Sequence, residues 1–156
     1  MSNKPVVGII FGDPSGIGPE LVTKLLVNQI TDKANCILIG ERSILEDGEK
    51  ISGVKTNLTT VKNFEEIDFS KGSKFFIDIT NGKNRTYKKK IANAESGASV
   101  LEALEYALDL AKEKKIHAIN FGPMNKTSLI LGGCKYNDEH EFMQEKLDMK
   151  EFCCEF

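Results

Sequence analysis

Residues 6–11, Val-Val-Gly-Ile-Ile-Phe, run apolar without a break and lead at once into Gly12-Asp13-Pro14-Ser15-Gly16-Ile17-Gly18. A short unbroken apolar run is what a strand covered on both faces requires, and cover on both faces belongs to a parallel sheet with helices above and below it. The glycines give the turn the φ freedom to reverse sharply, Pro19 suits a first helical position, and Glu20 suits the positive end of a helix dipole. Leu21, Val22, Leu25 and Leu26 then share one face at helical spacing, which predicts a helix over 19–27. Asn35–Gly40 is a second apolar run, so the opening reads as strand, helix, strand with a right-handed crossover between parallel neighbours. That unit commits the chain to an α/β fold.

Downstream the pattern is less even. Residues 41–72 mix short apolar patches with polar residues, and only a strand near 58–61 is predicted there. Residues 74–80 are β-rich, with Phe75, Phe76, Ile77 and Ile79, and the Asn81-Gly82 turn signal predicts an antiparallel partner around 86–91 forming an edge hairpin. The clearest helix spans 97–115, where Val100, Leu101, Leu104, Ala107, Leu108 and Ala111 form one stripe. Ser99 with Glu102 fits its capping box, and Ser96 is a rival cap. A strand over 116–121 follows. No repeat, low-complexity tract or linker divides residues 1–156, so no internal boundary is resolved. The apolar run Phe152-Cys153-Cys154-Glu155-Phe156 lacks a polar tail, which leads us to expect further chain beyond it.

Composition narrows the partners. Of 156 residues, 21 are basic and 23 acidic, a net charge of -2 that supplies no general attraction to nucleic acid or an anionic membrane. No apolar stretch approaches the ~20 residues that span a bilayer, and no export signal opens the chain, so a cytoplasmic protein is expected. Cys36, Cys134, Cys153 and Cys154 have no Cys-x-x-Cys spacing and are expected to be reduced thiols.

Three segments carry candidate chemistry. In the 12–18 turn, the backbone at Gly16 and Gly18 beside a helix start can hold an anion, although a merely tight turn explains the same glycines. It is neither a P-loop nor a dinucleotide fingerprint, because no Gly-Lys-Ser/Thr follows and Leu21 stands where a third glycine belongs. Asp13 is either a site acid or a partner of its own turn amides. The second segment, Gly122-Pro123-Met124-Asn125-Lys126, follows a buried strand, where Asn125 and Lys126 can reach a cleft and hold a phosphate or developing alkoxide. Solvation of Lys126 and loop-shaping by Asn125 are the plain alternative. In Asp138-Glu139-His140-Glu141, Asp138 fits an N-cap with Glu141 as reciprocal partner, opening a helix that buries Phe142, Met143 and Leu147. Successive helical residues diverge by about 100°, so Glu139, His140 and Glu141 cannot converge on one ion. His117, within an apolar strand, reads as a core or edge histidine.

Taken together these segments resemble the 4-hydroxythreonine-4-phosphate dehydrogenase family. Its signature Gly-Asp-Pro-(Ala/Ser)-Gly-Ile-Gly-Pro-Glu is matched without a gap by Gly12 to Glu20, and its Gly-Pro-(Ile/Val)-(Asn/His)-Lys segment by Gly122 to Lys126. The resemblance implies a three-layer α/β fold, a mostly parallel sheet flanked by helices as in isocitrate and isopropylmalate dehydrogenases, of which this chain is an N-terminal part. One departure stands out. Where the family continues Gly-His-Thr-Glu-Phe, this chain has Asp138-Glu139-His140-Glu141-Phe142, so Glu139 occupies the family's substrate-contacting His position and His140 its Thr position. We expect His140 to face the cleft in compensation.

The resemblance further implies an NAD-linked oxidation of 4-phosphohydroxy-L-threonine in pyridoxal phosphate biosynthesis, with decarboxylation of the keto acid. It assigns catalytic roles to Lys126 and Asp13 and substrate contacts to Glu139, His140, Asn125, Gly16 and Gly18. It also implies a homodimer and a divalent metal (Zn, Mg or Co) held by three histidines from motifs that these 156 residues lack, so the chain alone is expected to be inactive. A paralogue acting on 4-phospho-D-threonate, 4-phosphoerythronate or a diol is the alternative, and a non-catalytic small-anion-binding module is a third reading.

Overall fold

A computed structural model describes residues 4–28 and 30–150. Strands β1 (Val6–Ile10), β2 (Asn35–Gly40), β3 (Thr59–Val61), β4 (Lys74–Asp78) and β5 (Ala118–Phe121) form one sheet in the order β3-β4-β2-β1-β5. Every pairing is parallel. The helices are α1 (Gly18–Leu26), α2 (Ile30–Lys33), α3 (Arg42–Ser52), α4 (Ala94–Lys112), α5 (Lys126–Leu131) and α6 (Glu139–Lys146).

The continuous apolar runs are explained by two cores, one on each face. Along β2, Ile37 and Ile39 pack with Ala103, Leu104, Ala107 and Leu108 of α4 and Phe142 of α6. Cys36 and Leu38 point the other way, to Val22 and Leu26 of α1 and Ile44 and Leu45 of α3. Alternation at period two thus buries every residue of β2. This is the expected three-layer arrangement.

Several local expectations are corrected. Residues 86–91 form no strand, and the chain after Asn81-Gly82 crosses the sheet's carboxyl end as an irregular strap instead of pairing back. Asn81 and Gly82 do take the left-handed conformations of a turn, but β4 is already flanked by β2 and β3, so no edge is free for a hairpin. Helix α4 starts three residues earlier than expected, and its cap is Asn93, whose Oδ1 accepts the Ser96 N–H at 2.9 Å. Ser96 and Ser99 are buried inside the helix, and Glu102 is engaged by Arg85. The final strand begins at Ala118, with His117 just outside it accepting the Val6 N–H on Nδ1 at 3.1 Å. Asp138 caps α6 as expected, accepting the N–H groups of His140 and Glu141 at 3.0 and 3.1 Å, while Glu141 reaches back to Asn137 instead of to Asp138. Phe142 is buried; Met143 and Leu147 are partly so. The run at 152–156, with Cys153 and Cys154, lies outside the described residues.

Candidate functional site

The chain leaves β1 through α1 on one face of the sheet and reaches β5 from α4 on the other, so the connections diverge where these two parallel strands lie side by side. Carboxyl ends at such a switch point leave a crevice that no connection fills. The two motif-bearing turns meet there. Asp13 N–H donates to the Pro123 carbonyl at 2.9 Å, and Gly122 N–H to the Ile10 carbonyl at 3.0 Å. Contact this close needs glycine on both sides. Gly12 has φ +73°, a Cβ on it would stand 2.3 Å from the Gly122 carbonyl oxygen, and a Cβ on Gly122 would stand 2.2 Å from that of Phe11.

Over this junction opens a cavity of about 330 Å³ lined by Asp13, Ser15, Gly16, Ile17, Lys90, Ile91, Ala92, Pro123, Met124 and Asn125. Asp13, Gly16 and Asn125 therefore share one hollow, although Asn125 lies more than a hundred residues from the other two in sequence. Gly18 does not line it. A Cβ there would stand 2.0 Å from the Phe11 carbonyl oxygen, so Gly18 lets α1 start against the end of β1.

Beneath the cavity lies a buried polar network. Asp13, 4% exposed, accepts the Ser15 N–H on Oδ1 at 2.7 Å and the Ser128 hydroxyl on Oδ2 at 2.9 Å. Both of its oxygens are thus occupied by the protein, and the carboxylate braces the first turn against α5. The Asn125 Oδ1 caps α5 by accepting the Ser128 N–H at 3.0 Å. Ser15 Oγ lies 2.5 Å from Ser96 Oγ and accepts from Asn93 Nδ2 at 2.9 Å, which ties the turn to the start of α4. Small polar residues at these positions carry no periodic signal, so Asn93 and Ser128 go unmarked in the sequence, and Ser15 and Ser96 stand there only as a turn residue and a rival helix cap.

The remaining candidates gather on Asp138. Lys126, two-thirds exposed, places Nζ 3.5 Å from Asp138 Oδ2, and His140 Nδ1 lies 4.0 Å from Oδ1. Hydrogen bonds from the Glu141 amide, with the Lys126 ammonium nearby, hold the Asp138 carboxyl below its usual range. Neither Glu139 nor His140 lines the cavity of Asp13, and Glu139 keeps a buried Oε2 without a hydrogen-bond partner. Among the described residues, no group of three His, Cys, Asp or Glu could hold a metal ion. A hollow of about 330 Å³ is also at the small end of ligand pockets, which run from about 300 to 1,000 Å³. It suits a small acid and not a whole dinucleotide. The described residues thus offer no cluster for a metal ion, and this cavity has no room for a whole dinucleotide.

Residues 32–156 match the family of the pyridoxal phosphate biosynthetic protein PdxA. The chain belongs to the PdxA family. A Pasteurella multocida relative named as a 4-hydroxythreonine-4-phosphate dehydrogenase is 36% identical over 155 residues, covering 97% of this chain and 46% of the relative. A Clostridium botulinum (strain Hall) relative named as a D-threonate 4-phosphate dehydrogenase is 31% identical, again over 97% of this chain and 46% of its own length. The crystal structure of a 4-hydroxythreonine-4-phosphate dehydrogenase from Burkholderia phymatum superposes with a TM-score of 0.83 at 27% identity, over 96% of this chain and 46% of that one. This PdxA chain thus spans about half the length of the curated relatives it matches. A Burkholderia xenovorans terephthalate dihydrodiol dehydrogenase, 19% identical with a TM-score of 0.61 over 86% of this chain and 38% of that one, shares the fold.

Proposed function

We propose that this chain supplies the substrate-anchoring half of a dehydrogenase that oxidises a small phosphorylated hydroxy acid, and that it does not turn over substrate alone. The observation that carries this reading is the shared cavity of Asp13, Gly16 and Asn125 at the switch point, in a chain of the PdxA family. Asn125 uses its amide oxygen on α5 and offers its N–H donors to a substrate oxygen. Lys126, at the first turn of α5 beside the cavity, supplies positive charge for the anion or a developing alkoxide and pairs with Asp138. Asp13 acts through Ser15 and Ser128 by fixing the cavity wall. His140 lies off that cavity but beside the same Asp138 as Lys126, and from there it would take the place of the family's substrate-contacting histidine, one position on.

In this reading the complete dehydrogenase would draw on NAD as hydride acceptor and on a divalent metal as Lewis acid, both held chiefly by residues other than those described, and it would act as a cytoplasmic homodimer. The preferred substrate is 4-phosphohydroxy-L-threonine. The relative named for D-threonate 4-phosphate supports a second substrate, 4-phospho-D-threonate, and the change to Glu139-His140 gives a reason for a shift between the two. The test is NADH formation from each compound with added divalent metal, by this chain and by a version extended to the length of its relatives. We expect turnover only from the extended protein. Turnover by the 156 residues would overturn the division of labour, and phosphate-ester binding without turnover by either form would favour a non-catalytic anion-binding module.

A further inference from the structure

The strap over residues 83–93, which has no assigned part in the chemistry above, forms the third wall of the cavity through Lys90, Ile91 and Ala92. It is fastened along its whole length. Arg85, its side chain 15% exposed, is clamped between the buried Glu41 at 2.5 Å and Glu102 at 2.6 Å. Lys89 pairs with Asp47 and donates to the Pro14 carbonyl at 2.8 Å. Asn93 reaches Ser15. Lys90 itself donates its N–H to the Ser15 carbonyl at 2.9 Å and takes a left-handed φ of +63°. Residues with side chains hold such a conformation only where their surroundings fix it.

Fixing Lys90 there has a consequence for charge. Lys89 spends its ammonium on Asp47, whereas no ion pair among the described residues engages that of Lys90. The nearest carboxylate lining the same hollow, Asp13, is already occupied by Ser15 and Ser128. Opposite the strap the cavity is lined by Gly16 and by Ile17, the residue that precedes α1 and makes no side-chain capping hydrogen bond. A helix start carries partial positive charge, which favours an anion beside it. A lysine ammonium on a flexible stem is a strong point-charge partner for phosphate.

We propose that Lys90 contacts the phosphoryl group of the ligand, seating it between the strap and the Gly16-Ile17 turn that leads into α1, with the Arg85 clasp as the positioning device that holds the strap in place. This rests on the substrate-site reading of the cavity but concerns a residue that reading does not use. The experiment is calorimetric titration of the 156-residue chain at low ionic strength with inorganic phosphate and with 4-phospho-D-threonate. Lys90→Ala is expected to weaken both at least fivefold. Lys88→Ala removes the same charge from the same strap outside the cavity and should change binding less than twofold. Lys90→Asn, which tolerates left-handed backbone, removes the charge without added strain and should reproduce Lys90→Ala. Equal effects at Lys88 and Lys90, an unaffected Lys90→Asn, or no phosphate binding by the unsubstituted chain would each overturn the proposal. Failure of dehydrogenase turnover in the extended protein with Lys90-dependent phosphate binding intact would sink the enzymatic reading alone.

Discussion

Two glycines with the same backbone conformation have different work in this chain. Gly12 and Gly53 both take φ near +70°, but a Cβ at Gly12 would collide with the Gly122 carbonyl, while at Gly53 nothing lies within 4 Å. Gly53→Ala therefore meets only the left-handed penalty, about 1 kcal/mol. Gly12→Ala adds overpacking of the two turns, for a loss on the order of 3 kcal/mol. Urea unfolding of both variants checks the difference, and equal losses would show that the turns separate freely. The sequence marks both glycines alike. Only the partner 110 residues away separates them, and likewise only the fold brings Ser128 against Asp13, whose carboxylate then joins the first turn to α5.

At the scale of elements, the strap is held by a charge arrangement that no local pattern reveals. Glu41 stands between β2 and α3, is 1% exposed, and depends on Arg85 for its pairing. Removing one member of a buried pair strands the other's charge, at a cost of about 3–5 kcal/mol. Arg85→Ala should therefore destabilise the chain by about that amount in urea, and adding Glu41→Gln should recover part of the loss. The pH dependence follows from Glu102, whose hydrogen bond from Arg85 lowers its carboxyl from the ordinary value. A lowered carboxylate stabilises the fold above its unfolded pKa and loses that contribution as pH falls through the folded value. Below pH 4.5 the stability of the unsubstituted chain should thus fall more steeply than that of Arg85→Ala, and parallel acid limbs would contradict the clasp. Helix α4 was legible from its apolar stripe, but its cap was not. Asn93, Ser96 and Ser99 all fit the preferences of helix starts, and it is Asn93 that caps the helix, with Asn93 and Ser96 both held against Ser15 of the first turn.

For the whole molecule, the sheet is unevenly covered. β5 pairs only with β1 among the described residues, and its residues alternate between exposed and half-buried. On the α1 side, Leu21, Leu25, Val7 and Asn120 line shallow hollows beside β5, with Leu21 46% exposed. An open strand edge beside apolar surface promotes association. The 17.3 kDa chain should elute with a mass above the monomer in size-exclusion chromatography with light scattering, and Leu21→Asp should shift it toward the monomer. A monodisperse monomer with a sharp reversible thermal transition would refute this. No helix among the described residues is long and apolar enough to cross a membrane.

The sequence by itself determined the class of fold and the two turns that matter, because a parallel strand buried on both faces and a glycine-punctuated strand-to-helix turn are local requirements written in consecutive residues. It also determined the family, through two ordered motifs. The tertiary structure alone decided that those turns touch, that residues 83–93 close over them as a strap instead of pairing as a hairpin, and that Lys90 lines the resulting hollow. Each of these depends on contacts between residues tens to a hundred positions apart, and their energies come from packing, buried charge and strand order, none of which leaves a mark on neighbouring residues.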